Sequence, residues 1–227
     1  MKTIRPAALP AVLAALLLAA CSEQAAQNSP AAASSAPAAA SVPAEASAAS
    51  ASAPAAAGLK GVDVRKENIG GDFKLTNGKG EPMALSDLKG KVVMLSFGFT
   101  NCPDVCPTEL LTYSDTLKQL GDKAKDVAVV FVSVDPERDS PAVIGKYVTQ
   151  FHPDFIGLTD TEGGEQLALA KQQYRIVSAK TEIKSDTLYN IDHSSGTYLI
   201  DKKGETAYFE PFGADAEAIA ADIRKLL

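Results

Sequence analysis

Two continuous apolar runs stand out along the chain, Val92-Val-Met-Leu-Ser-Phe-Gly-Phe99 and Val127-Ala-Val-Val-Phe-Val-Ser-Val134. Runs of this length without polar alternation are expected of strands buried on both faces of a sheet. The first leads through a loop at 100–107 into Leu110, Leu111, Leu117 and Leu120, whose helical spacing predicts a helix over 108–120 stopped by Gly121. The second leads through the polar turn Asp135-Pro-Glu-Arg-Asp139 to Ser140-Pro141, an N-cap and first helical position for a helix reaching about Phe151. Upstream, Asp72-Phe-Lys-Leu-Thr-Asn alternates into Asn77-Gly-Lys-Gly80, the start of a hairpin, and 85–91 reads as a short turn. Downstream, the pattern predicts a short strand at 155–158, a helix over 162–174 and an extended piece from 174 to 177. A strand at 196–201 then turns at Lys202-Lys203-Gly204 into an antiparallel partner at 206–210, and an amphipathic helix over 215–227 closes the chain. Two strand–helix units followed by a hairpin and a helix describe an α/β fold. Its central sheet is mixed and flanked by helices on both faces, with an N-terminal hairpin extension.

The first 57 residues do not share this pattern. Lys2 and Arg5 precede an apolar run from Ala11 to Ala20 that ends in small residues before Cys21. That arrangement reads as a secretory signal peptide over 1–20. The cysteine directly after it resembles the bacterial lipobox, in which Cys21 is acylated and becomes the new N-terminus. Residues 22–57 are almost entirely Ala, Ser, Pro and Gln, with no periodic large apolar positions. Such a segment cannot bury enough surface to offset its conformational entropy, so a disordered tether over 21–57 is expected. Its r.m.s. reach would be roughly 35 Å. The fold proper is then expected over 58–227, a length that supports one domain with a sizeable core.

Loss of the signal removes two positive charges and takes the formal net charge from −6 to −8. With no Lys or Arg between Cys21 and Ala57 there is no basic arm, and an acidic chain of this kind is not expected to bind nucleic acid. Membrane attachment is assigned to the lipid alone. Localisation is therefore expected on a bacterial membrane with the domain in the periplasm, and the oligomeric state is open.

With Cys21 lipidated, one cysteine pair remains, in Cys102-Pro-Asp-Val-Cys106-Pro107. A cysteine pair between the first central strand and its helix is the thioredoxin-like arrangement. The spacing has three intervening residues where redox motifs of that class have two. Two thiolates a few ångströms apart suit a soft ion such as Cu(I), and they equally suit a disulfide. The second element is His193, in Asn190-Ile-Asp-His-Ser-Ser-Gly196, placed on a Ser/Gly-rich turn just before a predicted strand. In a thioredoxin-like sheet that turn lies beside the loop after the first central strand. Thioredoxin-type reductases carry a cis-proline there, whereas no proline occurs here between Pro153 and Pro211. Two thiolates and an imidazole make a three-coordinate site acceptable to Cu(I) and extendable to Cu(II). The other histidine of the domain, His152, is expected in an exposed or helix-capping role.

Three blocks carry a family resemblance: Gly98-Phe-Thr-Asn-Cys-Pro-Asp-Val-Cys-Pro-Thr-Glu-Leu110, Val134-Asp-Pro-Glu-Arg-Asp139 and Asp192-His-Ser-Ser-Gly-Thr-Tyr-Leu-Ile-Asp201. Together, in this order, they resemble the SCO/SenC family. The resemblance implies a thioredoxin-like fold and binding of copper in either oxidation state by Cys102, Cys106 and His193. It also implies a part in building the dinuclear copper centre of cytochrome c oxidase, by delivering copper or by keeping that centre's cysteines reduced. The partner so implied is an oxidase subunit carrying a copper centre. A second reading uses the same thiols as the redox pair of a thiol–disulfide oxidoreductase, with Cys102 attacking and Cys106 resolving. A copper-linked redox or oxidative-stress protein fits the same residues. Asp135, Arg138 and Asp139 match the second block. They read either as support or docking surface near the cysteine loop, or as a salt-bridged turn capping the next helix.

Overall fold

The computed structural model describes residues 60–227. The signal peptide expected over 1–20, Cys21 and the whole tether expected over 21–57 lie outside the described residues. Strand β1 (Val62–Asp63) comes first, followed by the hairpin β2 (Lys74–Asn77) and β3 (Pro82–Ala84) and a 3-10 turn at Leu85–Leu88. Then come β4 (Val92–Gly98), α1 (Val105–Leu120), a second 3-10 turn at Gly121–Asp126, β5 (Val127–Ser133), α2 (Pro141–Val148), β6 (Ile156–Thr159) and α3 (Glu165–Gln173). The chain ends with β7 (Ser178–Thr181), β8 (Asn190–His193), β9 (Thr197–Ile200), β10 (Thr206–Glu210) and α4 (Ala216–Leu226).

Eight strands form one mixed sheet in the order β1-β10-β9-β4-β5-β6-β2-β3, while β7 and β8 pair separately. The two apolar runs are the central strands. β4 and β5 pair in parallel, in register from Val92 with Val127 to Gly98 with Ser133, and every residue of both is buried. β6 continues in parallel beside β5, and β9 runs antiparallel on the other side of β4. α1 packs against α4, and α2 against β6 and β2. An aromatic cluster fills the space near α3, with Tyr174 set 5.8 Å from Phe97, 6.0 Å from Phe73 and 5.2 Å from Tyr198 between ring centroids. Edge-to-face and tilted pairs of this kind add to the area they bury.

The departures from the sequence pattern have local causes. α1 starts at Val105, three residues before the predicted start at 108, because Pro107 is the third helical residue and its missing N–H is one that a first turn leaves unbonded anyway. Leu111, although in the leucine series, is exposed. α2 stops at Val148, and Ser140 occupies its N-cap position without a side-chain cap bond. α3 begins only after Gly163 and Gly164, both at φ near +90°. The largest difference is the β7–β8 hairpin. Its strands are mostly polar and half exposed, so no alternation announces them, and His193 lies at the end of β8 rather than on a free turn.

Where the chain enters the fold, Glu210 of β10 and Asp222 of α4 are buried side by side, with relative exposures of 1 and 6%. The backbone of Gly61 is packed so tightly on them that a Cβ there would lie 2.1 Å from Glu210 Oε1 and 2.7 Å from Asp222 Oδ2. Lys225 pairs with Asp222 from the surface, and neither Glu210 oxygen has a hydrogen-bond partner. Burial, reinforced by Asp222, pushes the Glu210 carboxyl up to about 8. A carboxyl raised on folding stabilises the fold at low pH and loses that contribution as pH rises through its folded value. Thermal unfolding should therefore show stability falling between about pH 4.5 and pH 8, by an amount on the order of a few kcal/mol. Glu210→Gln should flatten that fall, and an unchanged slope in this variant would assign the pH dependence to other groups.

Candidate metal centre

The centre is assembled where β4 ends. Gly98 is its last residue, and a Cβ there would lie 2.7 Å from Cys106 Sγ and 2.6 Å from the Phe131 ring. Only glycine lets the first turn of α1 bring a cysteine sulfur against the strand. Cys106 is wholly buried in that turn, while Cys102 is half buried in the preceding loop. The Cys106 N–H donates to Cys102 Sγ at 3.3 Å, and both are free thiols. Cys106 Sγ lies 3.6 Å from His193 Nε2. The His193 Nδ1 stands 2.8 Å from the Ser194 carbonyl. A carbonyl can only accept, so Nδ1 carries the hydrogen and, in the neutral ring, Nε2 presents its lone pair toward the sulfurs. Phe99 meets the imidazole edge-on at 5.7 Å.

The three donor atoms lie within 4.8 Å of one another. Bonds of about 2.0–2.3 Å, as zinc makes to nitrogen and sulfur, set donors roughly 3.5–4 Å apart around a trigonal ion. The set therefore closes on an ion with small side-chain adjustments. Two sulfurs and a nitrogen suit a soft or borderline ion, Cu(I) above all, or zinc with an open fourth position. A cavity of about 350 Å³ opens onto the site, lined by Phe99, Cys102, Pro103, Asp192, His193 and Ser195 among others, so Cys102 and His193 are reachable from solvent while Cys106 lies buried behind them.

The thiols are made unequal by their surroundings. The hydrogen bond from the Cys106 thiol, then those from His193 and from the Cys106 and Asp104 backbone, hold Cys102 well below the usual thiol range against the opposing effect of burial. Cys106 is pushed up by its neighbour Cys102 and by burial. For His193, burial acts to lower the pKa. The Cys102 sulfur, the Ser194 carbonyl and the Glu109 charge together outweigh it, and the net direction is upward. The protein thus presents one thiolate and one protonated thiol beside an imidazole.

Asp135, Arg138 and Asp139 hold the loops that carry these groups. Asp139 is fully buried and accepts from Thr100 N at 2.9 Å, Thr100 Oγ1 at 2.5 Å and Ser133 Oγ at 2.7 Å, which fastens the cysteine loop to the end of β5. Asp135 accepts from Arg138 Nε at 2.5 Å and from the Tyr189 hydroxyl at 2.7 Å. Arg138 donates to the Tyr189 carbonyl at 2.8 Å and stacks 3.7 Å from that ring's centroid. Those bonds anchor the hairpin that ends in His193. The side chains therefore serve the site's loops and make no cap for α2.

One buried group here escapes a first reading of the sequence. Glu109 is 6% exposed, accepts from Gly196 N at 3.1 Å and is pushed up to about 7 by burial. The signal was available: in a helix containing Cys106, Leu110, Tyr113 and Leu117 on its buried side, position 109 falls among them. His152 stands apart from the centre. Its Nδ1 accepts from Asp154 N at 3.2 Å and its ring stacks on Phe155, so it is a partly buried loop residue rather than the exposed or helix-capping one expected.

Comparison with known proteins gives a consistent picture. The family model SCO1/SenC matches residues 62–227. A relative from Rickettsia felis, described as SCO2-like protein, is 39% identical over 158 residues, covering 68% of this chain and 75% of the relative. Among solved structures, Bradyrhizobium japonicum ScoI with copper bound superposes with a TM-score of 0.64 at 38% identity, covering 70% of this chain and 99% of that one. BsSco, described as a member of the Sco family of cytochrome c oxidase assembly proteins and as having a disulfide switch, superposes with a TM-score of 0.56 at 25% identity, covering 70 and 94%.

The unequal thiols make a direct prediction. Alkylation of the metal-free protein should modify Cys102 first and should persist to pH values well below those of an ordinary thiol. Cys106→Ala removes the hydrogen bond chiefly responsible, so the reactive limb of its pH–rate profile should move upward. A profile that stays in place would show that the Cys106 bond does not set the Cys102 thiolate.

Proposed function

The chain belongs to the SCO1/SenC family, and we propose that it is a copper-binding protein in which Cys102, Cys106 and His193 hold the ion for delivery to a respiratory oxidase copper centre. The observation that carries the reading is the convergence of those three donors within 4.8 Å at the mouth of an open cavity. Copper bound to ScoI, in a fold shared over most of the described residues, supports the identity of the ion. The two sulfurs suit Cu(I), and the imidazole extends the set to one that Cu(II) accepts. Cys102 is the more accessible sulfur and lines the cavity. A partner thiolate arriving there can take a place on the ion before Cys106 or His193 lets go, so transfer by ligand exchange never leaves copper bare.

The same thiols support a second reading, favoured by the depressed pKa of Cys102 and the burial of Cys106. The Cys102 thiolate attacks one sulfur of a partner disulfide and releases the other as a thiolate. Cys106 then gives up its proton and displaces the first, leaving a Cys102–Cys106 disulfide and a partner reduced by two electrons. Reduction of an oxidase copper centre's cysteines would prepare them for copper, so the two activities serve one end. The disulfide switch described for BsSco is in keeping with this.

The lipobox-like sequence ending at Cys21 and the Ala/Ser/Pro-rich segment after it support placement in the periplasm, tethered by lipid to a bacterial membrane. No helix among the described residues is long and apolar enough to cross a membrane.

Titration of the reduced protein with copper, followed by desalting, should leave close to one equivalent bound, with thiolate-to-Cu(II) absorption that disappears in a Cys102→Ala/Cys106→Ala variant. His193→Ala should lose most of its Cu(II) affinity while its thiols keep reacting. Copper retention unaffected by any of these changes would refute the three-ligand site. In a separate experiment, Cys21→Ser should move the protein from the membrane fraction to the soluble periplasmic fraction, and continued sedimentation with membranes after signal cleavage would refute the lipid anchor.

A further inference from the structure

Glu109 joins the two ligand-bearing segments. It lies three residues after Cys106 on α1, and its Oε1 accepts from the N–H of Gly196, three residues after His193. One turn further along the helix, the Tyr113 hydroxyl bonds Thr197 Oγ1 at 2.5 Å. Two polar rungs thus run from one face of α1 to consecutive residues of the segment that leads out of His193 into β9. The turn between them is tightly seated. Gly196 has φ +122°, and a Cβ there would lie 2.5 Å from the Phe209 ring and 2.8 Å from the Glu210 carbonyl oxygen. The His193 ring takes its orientation from the Ser194 carbonyl within that same turn. The second Glu109 oxygen is buried without a partner, so the carboxylate sits in this place despite its desolvation cost.

We propose that Glu109 is a positioning residue that holds the His193 turn against the Cys106 helix, and so sets how well the imidazole serves the more nitrogen-dependent Cu(II) state while leaving two-thiolate capture of Cu(I) almost untouched. The inference rests on the copper reading above and adds a division of labour within it. The cysteines sit on α1 and its preceding loop and stay together whether or not the 194–196 turn is fixed. His193 comes from a separate segment, anchored on one side through Tyr189 and joined to α1 on the other by the Glu109 bond to Gly196. Imidazole contributes more to Cu(II), and thiolate to Cu(I), so loosening the bridge should be felt mainly in the oxidised state.

The test uses the mature protein with Glu109→Leu, which removes the acceptor, and Glu109→Gln, which keeps an oxygen for the Gly196 N–H. Glu109→Met serves in place of the leucine variant should that one fail to fold. Cu(I) affinity is read by competition with a coloured chelator, and Cu(II) affinity by the thiolate-to-metal absorption. The leucine variant should lose about tenfold or more in Cu(II) affinity and less than about threefold in Cu(I) affinity. The glutamine variant should restore Cu(II) binding to within about threefold of the parent. In a His193→Ala background, Glu109→Leu should add no further loss. Equal losses for both oxidation states, failure of glutamine to rescue, or a full additional loss without His193 would overturn the proposal. Nitrogen NMR of the His193 ring in the metal-free protein separates it from the copper reading. A fixed Nδ1–H tautomer in the parent and the glutamine variant, lost in the leucine variant, would uphold the positioning role even if no copper were retained. Identical ring signals in all three would overturn it even if copper were bound.

Discussion

The parallel pairing of β4 with β5 brings the ends of two buried strands to the same edge, Gly98 beside Ser133, and the site is suspended from that edge. The Val134 N–H bonding the Gly98 carbonyl at 2.8 Å extends the pairing one step past the strands. From there the two loops diverge, one carrying the cysteines and the other carrying Asp135 to Asp139. A single buried carboxylate, Asp139, then draws them together through three hydrogen bonds to Thr100 and Ser133. A buried carboxylate is costly unless its oxygens are well supplied with donors. These donors meet that need, and what their geometry fixes is the path of the cysteine loop.

The third ligand reaches the site by a different route. β7 and β8 lie off the main sheet, and on the side of the hairpin that leads into β8 the position of His193 depends on Tyr189. That residue's carbonyl, ring and hydroxyl are each engaged by Arg138 or Asp135. Because Arg138 is half-enclosed between its carboxylate and two aromatic rings, its charge is better shielded from water than that of a surface pair such as Lys118 with Asp115, which would be expected to contribute little. The loop after β5 therefore steers both halves of the metal centre, one through Asp139 and the other through Asp135 and Arg138.

The central sheet was legible in the sequence because burial on both faces leaves a plain mark: seven consecutive buried residues in each of β4 and β5. The ligand set was legible for another reason. Cys102, Cys106 and His193 are few, chemically distinctive and set in motifs whose order resembles a known family. What stayed hidden was held by context. The β7–β8 hairpin is stabilised by Tyr189 and Arg138 across 51 residues of sequence, so its own polar pattern carries no strand period. Pro107 looked like a loop residue until the helix was seen to begin ahead of it. Glu109 did not stand out: its helical position marks it as buried, but nothing local to α1 shows that the Gly196 N–H lies opposite it.

Thiol chemistry and metal binding pull on one pair of sulfurs in compatible directions here. An ion needs both cysteines as thiolates, yet the metal-free pair favours one thiolate and one thiol. A cation arriving at the cavity meets Cys102 first, already ionised, and its positive charge then lowers the cost of ionising the buried Cys106 beside it. The same inequality suits disulfide exchange, in which the exposed thiolate attacks and the buried thiol resolves. What separates the two outcomes is the arrival at Cys102 of an ion or of a sulfur. Once an ion has arrived, His193 adds a nitrogen that no disulfide requires. The geometry around that imidazole, from the Ser194 carbonyl to Glu109 and Tyr189, is therefore the part of the molecule devoted to metal, whereas the cysteine pair alone serves either chemistry.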